Sequence, residues 1–280
     1  MSTQADTTSS PYLDLNDGNQ IPQLGFGVFE VPPEDTAEVV LHALETGYRS
    51  IDTAAAYENE ADVADAIERS GLPREEVYVT TKLWNDDHGL DPARRAFQSS
   101  LERLGFDYID LYLIHWPVPE QNRYLEAWQA LCELHEDGLA RSIGVSNFMV
   151  EHLERIIDAT GVVPAVNQIE LHPRLQQPEL REFHAAREIL TEAWSPLGRG
   201  QILGDRMIEQ IAAAHERTAA QAVLRWHVQL GNIVIPRSVN PQRIEENFRI
   251  FDFELSEDEM QAIAELDAGE RIGPDPATFG

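Results

Sequence analysis

Eight short apolar runs alternate with longer amphipathic segments along this 280-residue chain, and that alternation narrows the possible folds sharply. The runs lie at 23–27, 50–53, 77–82, 109–115, 142–145, 165–169, 189–194 and 233–236. They are short, rich in Val, Ile and Leu, and bounded by turn residues, which predicts buried strands. Helical periodicity occupies roughly 35–46, 58–70, 92–104, 122–137, 149–159, 178–187, a 205–230 stretch in two pieces, and 241–249. Ser256-Glu257-Asp258-Glu259 opens one more helix with an N-cap and an acidic first turn. Eight strand–helix units predict a parallel sheet, and ~250 residues is the length at which such a sheet closes on itself. The expected fold is α/β, a (β/α)8 TIM barrel. An open doubly wound sheet competes, but no G-x-G-x-x-G follows the first strand. Leu13-Asp14-Leu15 and Gln20-Ile21-Pro22 flank Asn16-Asp17-Gly18-Asn19, which predicts an N-terminal β-hairpin with an Asp-Gly turn.

No Pro/Gly/Ser-rich linker divides the chain, so residues 12–280 are expected to form one domain behind a polar, disordered tail at 1–11. The chain has no run of 18 apolar residues, so no membrane span is expected. The N-terminal segment lacks an apolar signal core, and Cys132 is the one cysteine. Both features suit a reducing cytoplasm. A formal charge of −28 argues against nucleic acid or anionic membranes as partners. The expected ligand is a small molecule and the expected state a monomer. Nine histidines form no H-E-x-x-H and no Cys/His grouping, so no metal is expected.

Lys82 is the one lysine among 21 basic residues. It ends the third predicted strand, where a cation needs a partner charge or a chemical task. Arginine keeps its proton at every accessible pH, whereas a lysine near an acid can relay one. Other polar and aromatic groups stand at the same end of other strands. Asp52 ends the second and His115 the fourth; Asn147 follows the fifth and Gln168 lies in the sixth. Trp194 ends the seventh and Arg237 follows the eighth. In a (β/α)8 barrel those ends meet on one face, where catalytic groups collect.

The motifs around these residues resemble the aldo-keto reductase family. They are Gly47-Tyr48-Arg49-Ser50-Ile51-Asp52-Thr53-Ala54-Ala55-Ala56-Tyr57-Glu58-Asn59-Glu60, Leu113-Ile114-His115-Trp116-Pro117, Ile143-Gly144-Val145-Ser146-Asn147-Phe148, Asn167-Gln168-Ile169-Glu170-Leu171-His172-Pro173 and Ile235-Pro236-Arg237-Ser238. Gln23-Leu24-Gly25-Phe26-Gly27-Val28-Phe29 and Lys82-Leu83-Trp84-Asn85 look most like its bacterial 2,5-diketo-D-gluconate reductase branch. The resemblance runs from about residue 12 to residue 280, with the motifs in the family's order.

The resemblance implies NADPH-dependent reduction of aldehydes and ketones by a tetrad of Asp52, Tyr57, Lys82 and His115. Tyr57 would be the general acid. Lys82 would lower its pKa, Asp52 would hold Lys82, and a neutral His115 would orient the carbonyl oxygen. By the same resemblance, Ser146, Asn147 and Gln168 would meet the nicotinamide carboxamide and Trp194 would stack on the ring. Ser195, Leu197 and Gly198 would cover the pyrophosphate. Arg237, Ser238 and Arg243 would bind the 2′-phosphate, with Glu246 and Asn247 near the adenine. The family's common pattern has lysine where this chain has Arg237, which weakens the expected discrimination against NADH. Phe29, Trp84 and Trp116 would line the substrate pocket. Short connections at 116–124 and 197–205, and a tail of fourteen residues after Leu266, predict an open, permissive site. Two other classes compete: a (β/α)8 aldolase using Lys82 as a Schiff-base amine, and a non-catalytic cofactor-binding subunit.

Overall fold

A computed structural model describes residues 9–280. β1 (Tyr12–Asp14) and β2 (Gln20–Pro22) pair antiparallel in the expected hairpin. Gly18 turns the chain at φ +87°, where a side chain would be strained. Eight more strands form one parallel sheet in chain order: β3 (Phe26–Gly27), β4 (Ser50–Asp52), β5 (Tyr78–Leu83), β6 (Ile109–Ile114), β7 (Ala140–Ser146), β8 (Val166–Glu170), β9 (Leu190–Trp194) and β10 (Ile233–Val234). A parallel bridge between Leu24 and Val234 joins the two ends of the sheet. There Gly25 N donates to Val234 O at 2.9 Å and Val234 N to Gln23 O at 3.0 Å. The run predicted at 23–27 therefore pairs on both sides, although only Phe26 and Gly27 form a regular strand.

The helices are α1 (Pro33–Thr46), α2 (Glu60–Ser70), α3 (Leu90–Leu104), α4 (Tyr124–Glu136), α5 (Val150–Thr160), α6 (Pro178–Ala186), α7 (Arg206–Ala214), α8 (Ala219–Gln229), α9 (Pro241–Phe248) and α10 (Glu257–Ala264). The predicted 205–230 stretch is the pair α7–α8; it breaks at Thr218, whose side chain accepts from Gln221 N to cap α8. Among the described residues no helix is long and apolar enough to cross a membrane.

The strands alternate, and the two faces do different work. Outward residues such as Val79, Tyr112, Ile143 and Val145 join Phe97, Leu101, Trp128 and Leu131 of the helices in one continuous core. Inward residues Leu111, Leu113, Val166 and Ile233 pack with Leu15 and Ile21 of the hairpin segment. The hairpin thus closes the N-terminal end of the barrel. Asn16 Nδ2 donates to Pro164 O at 3.0 Å and Asn19 Nδ2 to Arg141 O at 2.9 Å, which fixes it there. Burying side chains of this size stabilises by roughly 1.5–3 kcal/mol each. Inside the barrel, Gly144 lies so close to its neighbour that a Cβ would stand 2.5 Å from Val166 O, so no side chain fits.

Of the expected tail, residues 1–8 lie outside the described residues. Ser10 and Pro11 are anchored: Leu24 N donates to Ser10 Oγ at 2.9 Å and Gln23 N to Pro11 O at 2.8 Å.

Candidate active site

Counting every second residue along the inward register leads to the C-terminal mouth of the barrel. Asp52, Lys82, His115, Ser146, Gln168 and Trp194 all fall on that register: Asp52, Ser146 and Trp194 end their strands, His115 follows β6, Lys82 is the last but one residue of β5 and Gln168 sits in the middle of β8. A cavity of about 1580 Å³ opens there. Every residue that the sequence assigned to catalysis, cofactor or substrate lines it, except Lys82 and Gly198. Lys82 is wholly buried beneath the floor, and Gly198 is buried in the loop after β9.

Lys82 Nζ lies 2.7 Å from Asp52 Oδ1, 2.9 Å from Thr53 O and 3.4 Å from the Tyr57 hydroxyl. Burial alone would lower the Lys82 pKa, but Asp52, Tyr57 and Glu192 outweigh it and the net shift is upward. Lys82 is thus an ammonium at neutral pH. Burial also raises the Tyr57 pKa, and the lowering by Lys82 is smaller. The sequence reading expected a net lowering; desolvation of the phenolate reverses the sign. Tyr57 is therefore fully protonated at neutral pH, as a proton donor must be before it acts. His115 is 8% exposed, and burial, followed by the Lys82 charge, holds its pKa well below the usual histidine range. Its imidazole is neutral, and Nδ1 has no protein partner.

The amides around this centre are already engaged. Gln168 Nε2 donates to Asp52 Oδ2 at 2.8 Å and to Glu192 Oε2 at 2.9 Å. Asn147 Nδ2 donates to His115 O and to Ser146 Oγ, both at 3.0 Å, while its Oδ1 accepts Trp194 Nε1 at 2.8 Å. Ser146 Oγ donates to Gln168 O at 2.9 Å. Gln168 and Asn147 therefore present oxygens, not N–H groups, to anything that binds above them. Asn147 (φ 62°) and Ser195 (φ 49°) hold left-handed backbone just beyond β7 and β9. Such strained positions concentrate at functional sites.

The aromatic wall joins Phe29, 5.0 Å from Tyr57 between ring centroids, to Trp84 at 5.1 Å from His115, with Trp116 beside His115. Beyond Phe29 and Glu30 the cavity is lined by Arg237, Ser238 and Arg243, with Glu246 and Asn247 on α9. Among the described residues Arg243 has no ion-pair partner, whereas Arg237 donates to Glu30 Oε2 at 3.1 Å and to Phe29 O at 2.9 Å.

Residues 23–268 match the model of the Aldo/keto reductase family. The chain belongs to that family. It is 60% identical over 270 residues to an aldo-keto reductase of Mycobacterium sp. (strain KMS), covering 96% of this chain and 98% of the relative. Over 270 residues it is 51% identical to methylglyoxal reductase DkgA of Escherichia coli (strain K12), again covering 96% and 98%. A crystal structure of a Gox0644 mutant in complex with NADPH superposes with a TM-score of 0.94 at 52% identity, covering 97% of this chain and 99% of that one.

Four features of this family member escaped the sequence reading. Glu192 lies inside the barrel, in register with Gln168; counting back two residues from Trp194 would have pointed to it. Glu30 follows Phe29 and reaches both Arg237 and Arg199, the latter at 3.8 Å. Nothing local distinguishes it from the other acidic residues. Arg199 also lines the cavity, which gives that region a third cation. The fourth is the tail. The buried carboxylate of Glu170 accepts from Ile272 N at 2.6 Å and Gly273 N at 2.9 Å, so the last residues fold back over the mouth. Phe279 then packs on Trp116 at 4.5 Å, and Gly273 lies so close to Trp194 that a Cβ would clash with the indole. The expected open site thus has a wall on this side, built by a segment with no periodicity to betray it.

Proposed function

We propose that this chain reduces aldehydes and ketones to alcohols with NADPH. The observation that carries the reading is the Asp52–Lys82–Tyr57 chain of contacts at 2.7 and 3.4 Å, on the floor of the cavity beside a neutral His115. The residues suit the cofactor. Arg199, Arg237 and Arg243 supply positive charge to phosphates against a −28 background. Trp194, fixed through its Nε1, offers a ring face, and the Gln168 and Asn147 oxygens can accept from a carboxamide. NADH would bind more weakly, for want of the phosphate. When bound, NADPH supplies the hydride; the chain's own task is the proton.

Tyr57 donates that proton to the carbonyl oxygen. Lys82 stabilises the phenolate left behind, and Asp52 keeps Lys82 charged and directed. His115, as a neutral donor, holds the oxygen in line. A Schiff-base role for Lys82 is disfavoured, because its amine is charged and paired where a nucleophile must be neutral. The aromatic wall and the methylglyoxal reductase relative favour small α-dicarbonyls and aldehydes over larger aldoses, with keto sugar acids of the 2,5-diketo-D-gluconate type next. A panel of aldehydes, α-dicarbonyls, aldoses and keto sugar acids, assayed with NADPH and NADH, tests the reading. The highest kcat/KM is expected for a small dicarbonyl with NADPH. Tyr57→Phe should lower turnover by ~10²–10⁴-fold with little change in NADPH binding. Near-normal turnover in that variant, or no NADPH oxidation with any carbonyl, would refute it.

A further inference from the structure

Glu192 is given no role in the chemistry above, yet the residue is only 1% exposed, and it lies inside the barrel beside the proton-donating centre. On β9 it stands in register with Gln168 of β8 and Ile233 of β10. The Gln168 amide spends one N–H on Glu192 and the other on Asp52. A flipped amide would aim its oxygen at the Asp52 carboxylate, which can only accept, so this arrangement admits one orientation. Asp52 in turn answers the charge of Lys82, which contacts Tyr57. The amide therefore couples a second buried carboxyl group to the acid.

We propose that Glu192 is a positioning residue that fixes Gln168 and Asp52 and, by its own charge state, sets the strength of Tyr57 as an acid. The inference rests on the carbonyl-reductase reading. The titratable groups that face Glu192 are Asp52 on β4, Tyr57 after it, and Lys82 and Tyr78 on β5. Burial, then the nearness of Asp52, pushes the Glu192 carboxyl up to about 8. Below that pH it is neutral and still accepts from Gln168, so Asp52 alone balances Lys82. Above it, a second negative charge disfavours the Tyr57 phenolate and weakens the proton donor. Reduction should therefore decline as Glu192 ionises.

Glu192→Gln keeps an acceptor oxygen but carries no charge at any pH. Two measurements decide. The first needs neither cofactor nor activity: ultraviolet titration of the protein minus that of its Tyr57→Phe variant isolates the Tyr57 midpoint. In Glu192→Gln that midpoint should fall by about one pH unit, the effect of one nearby charge. An unchanged midpoint overturns the proposal. The second is the shape, not the height, of the kcat–pH profile for methylglyoxal reduction with NADPH between pH 6 and 10. The decline that begins near 8 should move upward in Glu192→Gln, and a profile that superimposes on the wild type overturns the proposal. Failure to oxidise NADPH with any of the carbonyl compounds defeats the reductase reading, and the titration still decides on Glu192.

Discussion

The three N–H donors of Lys82 point to Asp52, to the Thr53 carbonyl and to the Tyr57 hydroxyl, and the side chain has no exposed surface. A tetrahedral ammonium matches three such acceptors. A guanidinium is planar, larger and carries five N–H groups. Lys82→Arg would overpack the floor at a cost of roughly 1–3 kcal/mol and leave buried donors unpaired at a further ~1–3 kcal/mol each. The expected outcome is a lower melting temperature together with a turnover loss of at least ~10²-fold, because the proton donor loses its partner geometry. Steady-state kinetics and a thermal melt measure both. Normal activity in Lys82→Arg would make the single lysine an accident of composition.

At the scale of elements, the cofactor end is assembled from the loops after β3, β9 and β10 and the start of α9. Glu30 ties Arg237 and Arg199 together across it, so an arriving phosphate must compete with a carboxylate already in place. Arg243 faces no such rival. Arg243→Ala should raise the NADPH dissociation constant about ten- to hundredfold, the value of a charge-assisted phosphate contact, and leave NADH nearly unchanged. Glu30→Gln should act in the opposite direction, tightening NADPH severalfold at low salt. Fluorescence titration at two ionic strengths checks both, and equal losses for the two cofactors in Arg243→Ala would assign that arginine to the adenine or the fold. The period of two in the strands and of 3.6 in the helices made the elements readable in one dimension, and the strand-end positions of Asp52, Lys82 and His115 followed from them. The Glu30 bridge joins side chains 207 positions apart, and the Gln168 amide links strands that pattern alone cannot show to be in contact. The net rise of the Tyr57 pKa depends on burial, which spacing does not encode.

Over the whole molecule, buried histidines set the acid limit. Burial first, and then Arg123, pushes the His88 pKa down to about 4. Burial, then Arg181, takes His184 down to about 3. For His227, also at about 3, burial outweighs the opposing Pro196 carbonyl. In each case the unfolded chain binds protons that the folded chain refuses. The stability is present above pH ~6.5 and is lost as the pH falls towards 4, at up to about 1.4 kcal/mol per pH unit per histidine. Glu192 acts in the opposite sense: its contribution is present at low pH and is lost as the pH rises from the ordinary carboxyl range through about 8. His115 and His152, also held low by burial, act in the same sense, so the histidines outweigh the one carboxyl and the melting temperature should drop by several degrees per unit between pH 6.5 and 5. A flat profile there would mean that these histidines take up protons without unfolding. The burial of Lys82 also reaches beyond catalysis. Imines with aldehydes form on amines, and the one lysine side chain is buried, so the basic side chains that this surface offers to the carbonyl compounds it is proposed to handle are guanidinium groups in place of lysine amines. Acylating reagents would find a lysine side chain only in molecules whose barrel has opened, and the mass added at Lys82 would count those openings one by one.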